Sequence, residues 1–296
     1  MFRSLALAAL LGGAALAQTC DGRVVIHAVG ETCVPENVTR VVALETGELD
    51  SAVALGLAPV GAGSWLAANN PWPAYLADAL GETTYVGLSD EPNLEALVAL
   101  EPDLILGSRL RHEALYEQLS QIAPTVFSES VGVVWKENLL LHGEALGREA
   151  EAQALLDAYE TRVRELNAAL GDERPEVSVV RFLPGEIRLY QKASFVGTVL
   201  EDAGLPRPAS QDVDDFAATI TEEGVPEVGG DIIFTTVYGP DDETDYSTVT
   251  EGPLWRNLDA VQAGNVHRVP EDHWMLGIGV GAANRILDDL ETYLEP

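Results

Sequence analysis

Positive charge is what this sequence has least of. Its 296 residues carry 17 Lys plus Arg against 48 Asp plus Glu, a formal net charge of -31 at pH 7. A chain this acidic is ill suited to a phosphate backbone, which excludes a general nucleic-acid partner. Cysteine is also scarce, with Cys20 and Cys33 as the whole complement, so no Cys-x-x-Cys redox or zinc motif exists. The short signatures of common enzymes are missing: there is no Gly-x-Ser-x-Gly elbow, no His-Glu-x-x-His and no Gly-x-x-x-x-Gly-Lys phosphate loop. No catalytic residue is assigned. The five histidines, at 27, 112, 142, 267 and 273, show no metal-ligand spacing, so direct capture of bare zinc or manganese has no support. His273 and Met275 are the one pair open to a haem reading, but an isolated His and Met near a helix start ordinarily pack or cap.

Long apolar runs are absent beyond the first residues. Met1-Phe2-Arg3-Ser4 followed by Leu5 to Leu16 and Ala15-Leu16-Ala17 forms a basic start, a short apolar stretch and a small-x-small cleavage site. This predicts a signal peptide over 1–17, cut after Ala17, and a soluble protein in the periplasm or an equivalent extracytoplasmic space. Cys20 leaves a lipoprotein alternative open, against which Gln18 and Thr19 are poor neighbours for lipidation. In an oxidising compartment the two cysteines can instead pair. They flank Val24-Val25-Ile26, where a disulfide would clamp an N-terminal hairpin and stabilise by roughly 3 kcal/mol; two separate thiols are the alternative.

What is present reads as α/β. Val- and Ile-rich runs at 41–44, 60–62, 104–107, 177–182, 187–190 and 232–235 alternate with helical patterns, predicting largely parallel sheets. The longest helical pattern runs from Glu149 to Leu170 with Ala152, Leu155, Leu156, Tyr159, Val163 and Leu166 on one face. Gly147 and Gly171 are its natural stops. It is either a strut between two lobes or an ordinary helix packed on one sheet. The halves echo one another: Asp103-Leu104-Ile105-Leu106-Gly107-Ser108 resembles Asp231-Ile232-Ile233-Phe234-Thr235-Thr236, and Leu55-Gly56-Leu57-Ala58-Pro59 resembles Ala203-Gly204-Leu205-Pro206.

Ligands of open α/β sheets bind beyond the carboxyl ends of the strands. That rule selects Ser108, Arg109 and Arg111 after one strand, Tyr238 after another, and Arg181, Arg188 and Tyr190 on or beyond strands of the second half. With only two lysines in the chain, arginines gathered there would make a positive island suited to an anion with several oxygens, because guanidinium forks bind such groups bidentately. The alternative is that these arginines pair with the abundant Asp and Glu. Trp65 and Trp274 follow strand-like segments and can sit on loops at a cleft rim, offering flat faces to a ligand, or be partly buried packing, the commoner fate of a single Trp.

Three stretches then resemble a known family. They are 38–59, with Glu45-Thr46-Gly47-Glu48-Leu49-Asp50; 87–125, with Pro92-Asn93-Leu94-Glu95 and Glu101-Pro102-Asp103-Leu104-Ile105; and 255–274, from Trp255-Arg256-Asn257-Leu258 to Trp274. In that order they resemble the iron-siderophore (ferric citrate and hydroxamate type) substrate-binding proteins of ABC importers. The resemblance implies two Rossmann-like lobes, 18–146 and 172–296, joined by a long backbone helix at 147–171, in the class III periplasmic binding protein fold. It implies a ligand in the cleft between lobes and limited closure on binding.

By the same resemblance the ligand contacts are Arg109, Arg181, Arg188 and Tyr190, with Trp65, Tyr238, Trp274, Ser108 and Arg111 as further candidates. Glu95 on one lobe and Glu201 or Asp202 on the other would dock the membrane permease, which works with its ATPase. The ligand would be an Fe(III)-siderophore or Fe(III)-citrate complex whose iron is held by the chelator, with no intrinsic cofactor, no metal site, no reaction and a monomeric state. A cobalamin or haem binder of the same architecture and an exported hydrolase are the alternative readings.

Overall fold

The computed structural model describes residues 20–294. The signal peptide predicted over 1–17 lies outside the described residues.

The chain opens with a hairpin, β1 (Arg23–His27) against β2 (Gly30–Val34), and the disulfide Cys20–Cys33 ties its ends. The sulfur that a lipoprotein would need at Cys20 is therefore committed to Cys33.

The first half is built on a six-stranded sheet in the order β6-β5-β4-β3-β7-β8. Its strands are β3 (Val41–Ala43), β4 (Gly61–Ser64), β5 (Thr84–Leu88), β6 (Glu91–Pro92), β7 (Leu104–Ser108) and β8 (Thr125–Ser128). All pair in parallel except the short β5–β6 edge. The central strands β3 and β7 are buried along their whole length, as a sheet covered on both faces requires.

The second half holds a five-stranded sheet in the order β11-β10-β9-β12-β13. It comprises β9 (Val177–Leu183), β10 (Glu186–Tyr190), β11 (Ala217–Ile220), β12 (Ile232–Val237) and β13 (Val266–Arg268). Here the expectation of largely parallel pairing is corrected. β12 pairs β9 and β13 in parallel, whereas β9–β10 and β10–β11 are antiparallel. The reason is local: only Pro184-Gly185 separates β9 from β10, and Gly185 takes φ +71. A two-residue link makes a hairpin and cannot make a parallel crossover.

The echo between halves has a structural basis. Asp103, just before β7, accepts the backbone N–H groups of Thr39 and Arg40 at 2.9 and 2.8 Å, which aligns β7 beside β3. Asp231, just before β12, accepts the N–H of Glu176 at 2.8 Å and aligns β12 beside β9 in the same way.

Between the sheets the chain runs through helices Trp135–Leu146 and Glu149–Leu170. Gly147, at φ +66, ends the first in the left-handed region that glycine tolerates best. The second has 22 residues, about 33 Å at 1.5 Å per residue. It buries Ala152, Leu156, Tyr159, Val163 and Leu166 in a core cluster that also takes Val41 and Leu104 from the first sheet and Val179 and Phe234 from the second. Trp135 is the centre of this seam. It meets Tyr159 edge-on at 5.0 Å and Phe195 at 6.0 Å, and donates its indole N–H to Thr198 at 3.1 Å.

The last helix, Val280–Leu294, returns to the first half, packing on helix Thr46–Ala54 and on Glu149–Leu170. Buried Asp50 caps it from across the molecule, accepting the N–H groups of Gly281 and Ala282 at 2.9 and 3.0 Å and the hydroxyl of Tyr75 at 2.9 Å. A carboxylate at a helix N-terminus satisfies free donors and the dipole together, although burial lifts its pKa to about 6. The two halves are thus tied both by the long helix and by this cap.

Candidate functional site

A cavity of about 520 Å³ opens between the two sheets, at the carboxyl ends of β3, β4, β7, β9 and β12. Its volume lies in the range of small-molecule sites. From the first half, Trp65 follows β4 and Arg111 lies on the short helix Arg109–His112 that follows β7. From the second half come Arg181 on β9, Arg188 and Tyr190 on β10, and Tyr238 after β12. Trp274 and Met275 from the π-helical turn Asp272–Leu276 also line it.

The structure separates the two arginines of the short helix. Arg111 lines the cavity, its guanidinium lying over the Trp65 ring at 5.1 Å, with Nε 3.5 Å from the carboxylate of Glu45. Arg109 is not part of the lining and is paired with Glu129. Positions two apart on a helix point about 200° away from each other, so one turn cannot aim both at the same cavity. Ser108 is wholly buried beneath this turn, its N–H bonded to Nδ1 of His112 at 3.1 Å, and it does not line the cavity either.

On the second half, Arg181 is nearly buried. It donates to the hydroxyl of Tyr190 at 2.9 Å, pairs with Glu271 and lies 5.3 Å from the centre of the Tyr238 ring. Arg188 is one-third exposed and binds Glu186 through Nε and Nη2, both at 2.8 Å. The paired-arginine alternative is therefore realised together with the convergence: each cleft guanidinium has a carboxylate behind it and an edge toward the cavity.

Burial, which penalises charge, raises the pKa of Glu45 and Glu271 against the pull of their arginines. Glu48, one turn along from Glu45, is raised by burial and then by the Glu45 charge. Glu45, Glu48 and Glu271 each keep one buried carboxyl oxygen without a partner.

Trp274 is a wall residue, not the exposed rim aromatic expected from its loop. It is 1% exposed, meets Phe234 at a tilt with ring centroids 4.8 Å apart, and donates to Asp289 at 2.7 Å. Both ring nitrogens of His273 are engaged, Nδ1 with Asp272 at 3.0 Å and Nε2 with Asp289 at 2.8 Å. Among the described residues no group of three or more His, Cys, Asp or Glu is placed to hold a metal ion, and no helix is long and apolar enough to cross a membrane.

Sequence reasoning missed Phe216, an exposed ring that meets Tyr190 edge-on at 5.3 Å and lines the cavity. The pairing Tyr190↔Ala217 brings it there. Its only signal in the sequence is an aromatic residue set directly after Asp214-Asp215. Glu45, the residue just before helix Thr46–Ala54, carries no sequence signal that marks it as the partner of Arg111.

Of the acidic surface candidates, Glu95 is exposed on helix Leu94–Ala99 and Glu201 on helix Phe195–Asp202. Asp202 is spoken for internally by Lys136 at 2.6 Å and the Tyr159 hydroxyl at 2.8 Å.

The periplasmic binding protein family matches residues 41–273. A Bacillus subtilis (strain 168) protein named "Probable siderophore-binding lipoprotein YfiY" is 40% identical over 285 residues, 92% of this chain and 87% of its own length. The achromobactin-binding periplasmic protein of Dickeya dadantii is 37% identical, covering 85% of each chain. Among solved structures, Staphylococcus aureus SirA complexed with staphyloferrin B superposes with a TM-score of 0.82 at 34% identity, over 92% of this chain and 98% of that one.

Proposed function

The chain belongs to the periplasmic binding protein family, and we propose that it captures a ferric siderophore or ferric citrate-like chelate outside the cytoplasm and passes it to an ABC importer. One observation carries this reading: Arg111 from the first half and Arg181 and Arg188 from the second edge a single cavity, with Trp65, Tyr190 and Tyr238 beside them. Guanidinium groups suit the negative oxygens of a chelate, and the rings suit its bulk. The names of the relatives, which bind achromobactin or are described as siderophore-binding, support the same ligand class.

In this account the chelator's own oxygens hold the iron, and the protein binds the complex reversibly without chemistry. Residues 18–146 and 172–296 serve as the two lobes, joined by the helical segment 147–171. Glu95 and Glu201 are the docking carboxylates for the permease, and Asp202 is left to its internal partners. A saturable change in tryptophan fluorescence on titrating the mature protein with ferric citrate and with representative ferric siderophores tests the reading. Absence of binding to every ferric chelate would sink it.

A further inference from the structure

One of the arginines that edge the cavity, Arg111, is held by a carboxylate almost wholly shielded from water. Glu45 is 1% exposed, and Arg111, its partner, is 38% exposed along its side chain. One Glu45 oxygen faces Arg111 and the Trp65 N–H at 3.5 and 3.4 Å, and the other has no partner. Glu271 differs: its side chain is 16% exposed and that of its partner Arg181 only 10%, so neither the burial of the carboxylate nor the freedom of the arginine is repeated there.

The charged groups facing Glu45 are few. Arg111 lies above it, Glu48 follows one turn along its own helix, and Asp90 comes from the turn between β5 and β6. Arg111 is the one cation of that set, while Asp90 disfavours a negative charge on Glu45 and Glu45 in turn disfavours one on Glu48.

An arginine whose side chain reaches the cavity can turn to an entering anion. A carboxylate at 1% exposure cannot follow it to water. Removing one partner of a buried ion pair leaves an uncompensated charge, which a protein interior resolves by neutralising the group.

Resting on the reading of this cavity as the chelate site, we infer that Glu45 is a proton-accepting counter-ion. When the anionic chelate takes the guanidinium of Arg111, the carboxylate left behind binds a proton from solvent. Capture therefore consumes protons and tightens as the pH falls. Without a ligand, the Arg–Glu pairs keep the cavity close to neutral; with one, the added protons restore the positive charge that the chelate meets.

Calorimetric titration of the mature protein with ferric citrate at pH 6.5, in two non-chelating buffers of different ionisation enthalpy, counts the protons exchanged. Correction comes from titrating the free chelate. The expected result is net uptake of about 0.3 to 1 proton per chelate for the wild type and clearly less for Glu45→Gln. The wild-type Kd should weaken at least about threefold from pH 6 to pH 8 while that of Glu45→Gln stays nearly flat. Zero or negative uptake by the wild type overturns the inference by itself, whatever the variant does, and so does equal uptake by both proteins. If ferric citrate binds with no proton count, the chelate-capture reading stands and only this inference falls. If no ferric chelate binds at all, both fall.

Discussion

Arg181 and Arg188 stand directly opposite one another across the antiparallel pair β9–β10. Like charges in facing positions of a sheet repel and cost stability, so the arrangement runs against the fold's own interest. The cost is held down by Glu271 behind Arg181 and Glu186 behind Arg188. In the proposed function, facing guanidiniums at a cavity edge offer an anion two forks on one wall.

The two arginines should separate in their effects. Arg188→Gln removes a partly exposed charge and is expected to weaken ferric-chelate binding at least about tenfold while shifting the unfolding free energy by less than about 0.5 kcal/mol. Arg181→Met leaves Glu271 buried without its cation and should cost about 3 to 5 kcal/mol of stability as well as affinity. Fluorescence titration and urea unfolding of both variants check the split. Equal stability losses would contradict it.

On the first half, Arg111→Gln should lose at least about tenfold in affinity. Arg109→Gln should stay within about twofold of wild type, since its pair with Glu129 is a surface pair of small worth. The same titration decides. Strong loss at Arg109 with none at Arg111 would reverse the assignment.

The sequence made the scaffold legible where burial is complete. The Val- and Ile-rich strands β3, β7, β9 and β12 and the apolar face of Glu149–Leu170 follow from periodicity alone. It was less legible where a two-residue link decides direction. Pro184-Gly185 turns β9 back on itself, and only that reversal sets Arg181 against Arg188. The one-turn helix after β7 is a second example. A list of arginines near a strand end favours Arg109 as much as Arg111, and the 200° between them appears only once the turn is helical. Phe216 depends on the β10–β11 register, which no local pattern encodes.

Trp135 should dominate the stability of the seam between halves. Trp135→Ala removes the contacts with Tyr159 and Phe195 and the bond to Thr198, an expected loss of about 3 to 5 kcal/mol. Urea unfolding measures it, and a loss under about 1 kcal/mol would mean the seam does not couple the halves.

Stability should also decline at alkaline pH through His273. Burial pulls its pKa down, but the bonds and charges of Asp272 and Asp289 outweigh that and lift it to about 9. The folded state therefore holds the proton more tightly than the unfolded chain, whose histidine titrates near about 6.5. The contribution is fully present below that value and is lost as the pH rises through about 9, a total on the order of 3 kcal/mol. His273→Gln should be less stable than wild type at pH 6, with the gap narrowing by pH 9.5. A gap constant across that range, followed by thermal or urea unfolding, would contradict the charged clamp.

The central claim is that one anionic iron complex is gripped from both halves at once. Crystals of the mature protein grown with a ferric chelate that binds in the titration, measured at the iron absorption edge, locate the metal directly. The account predicts a single anomalous peak in the cavity between Arg111 and the Arg181–Arg188 pair, with chelate oxygens on guanidiniums of both halves. Iron found elsewhere on the protein, or a chelate touching only one half, would contradict it.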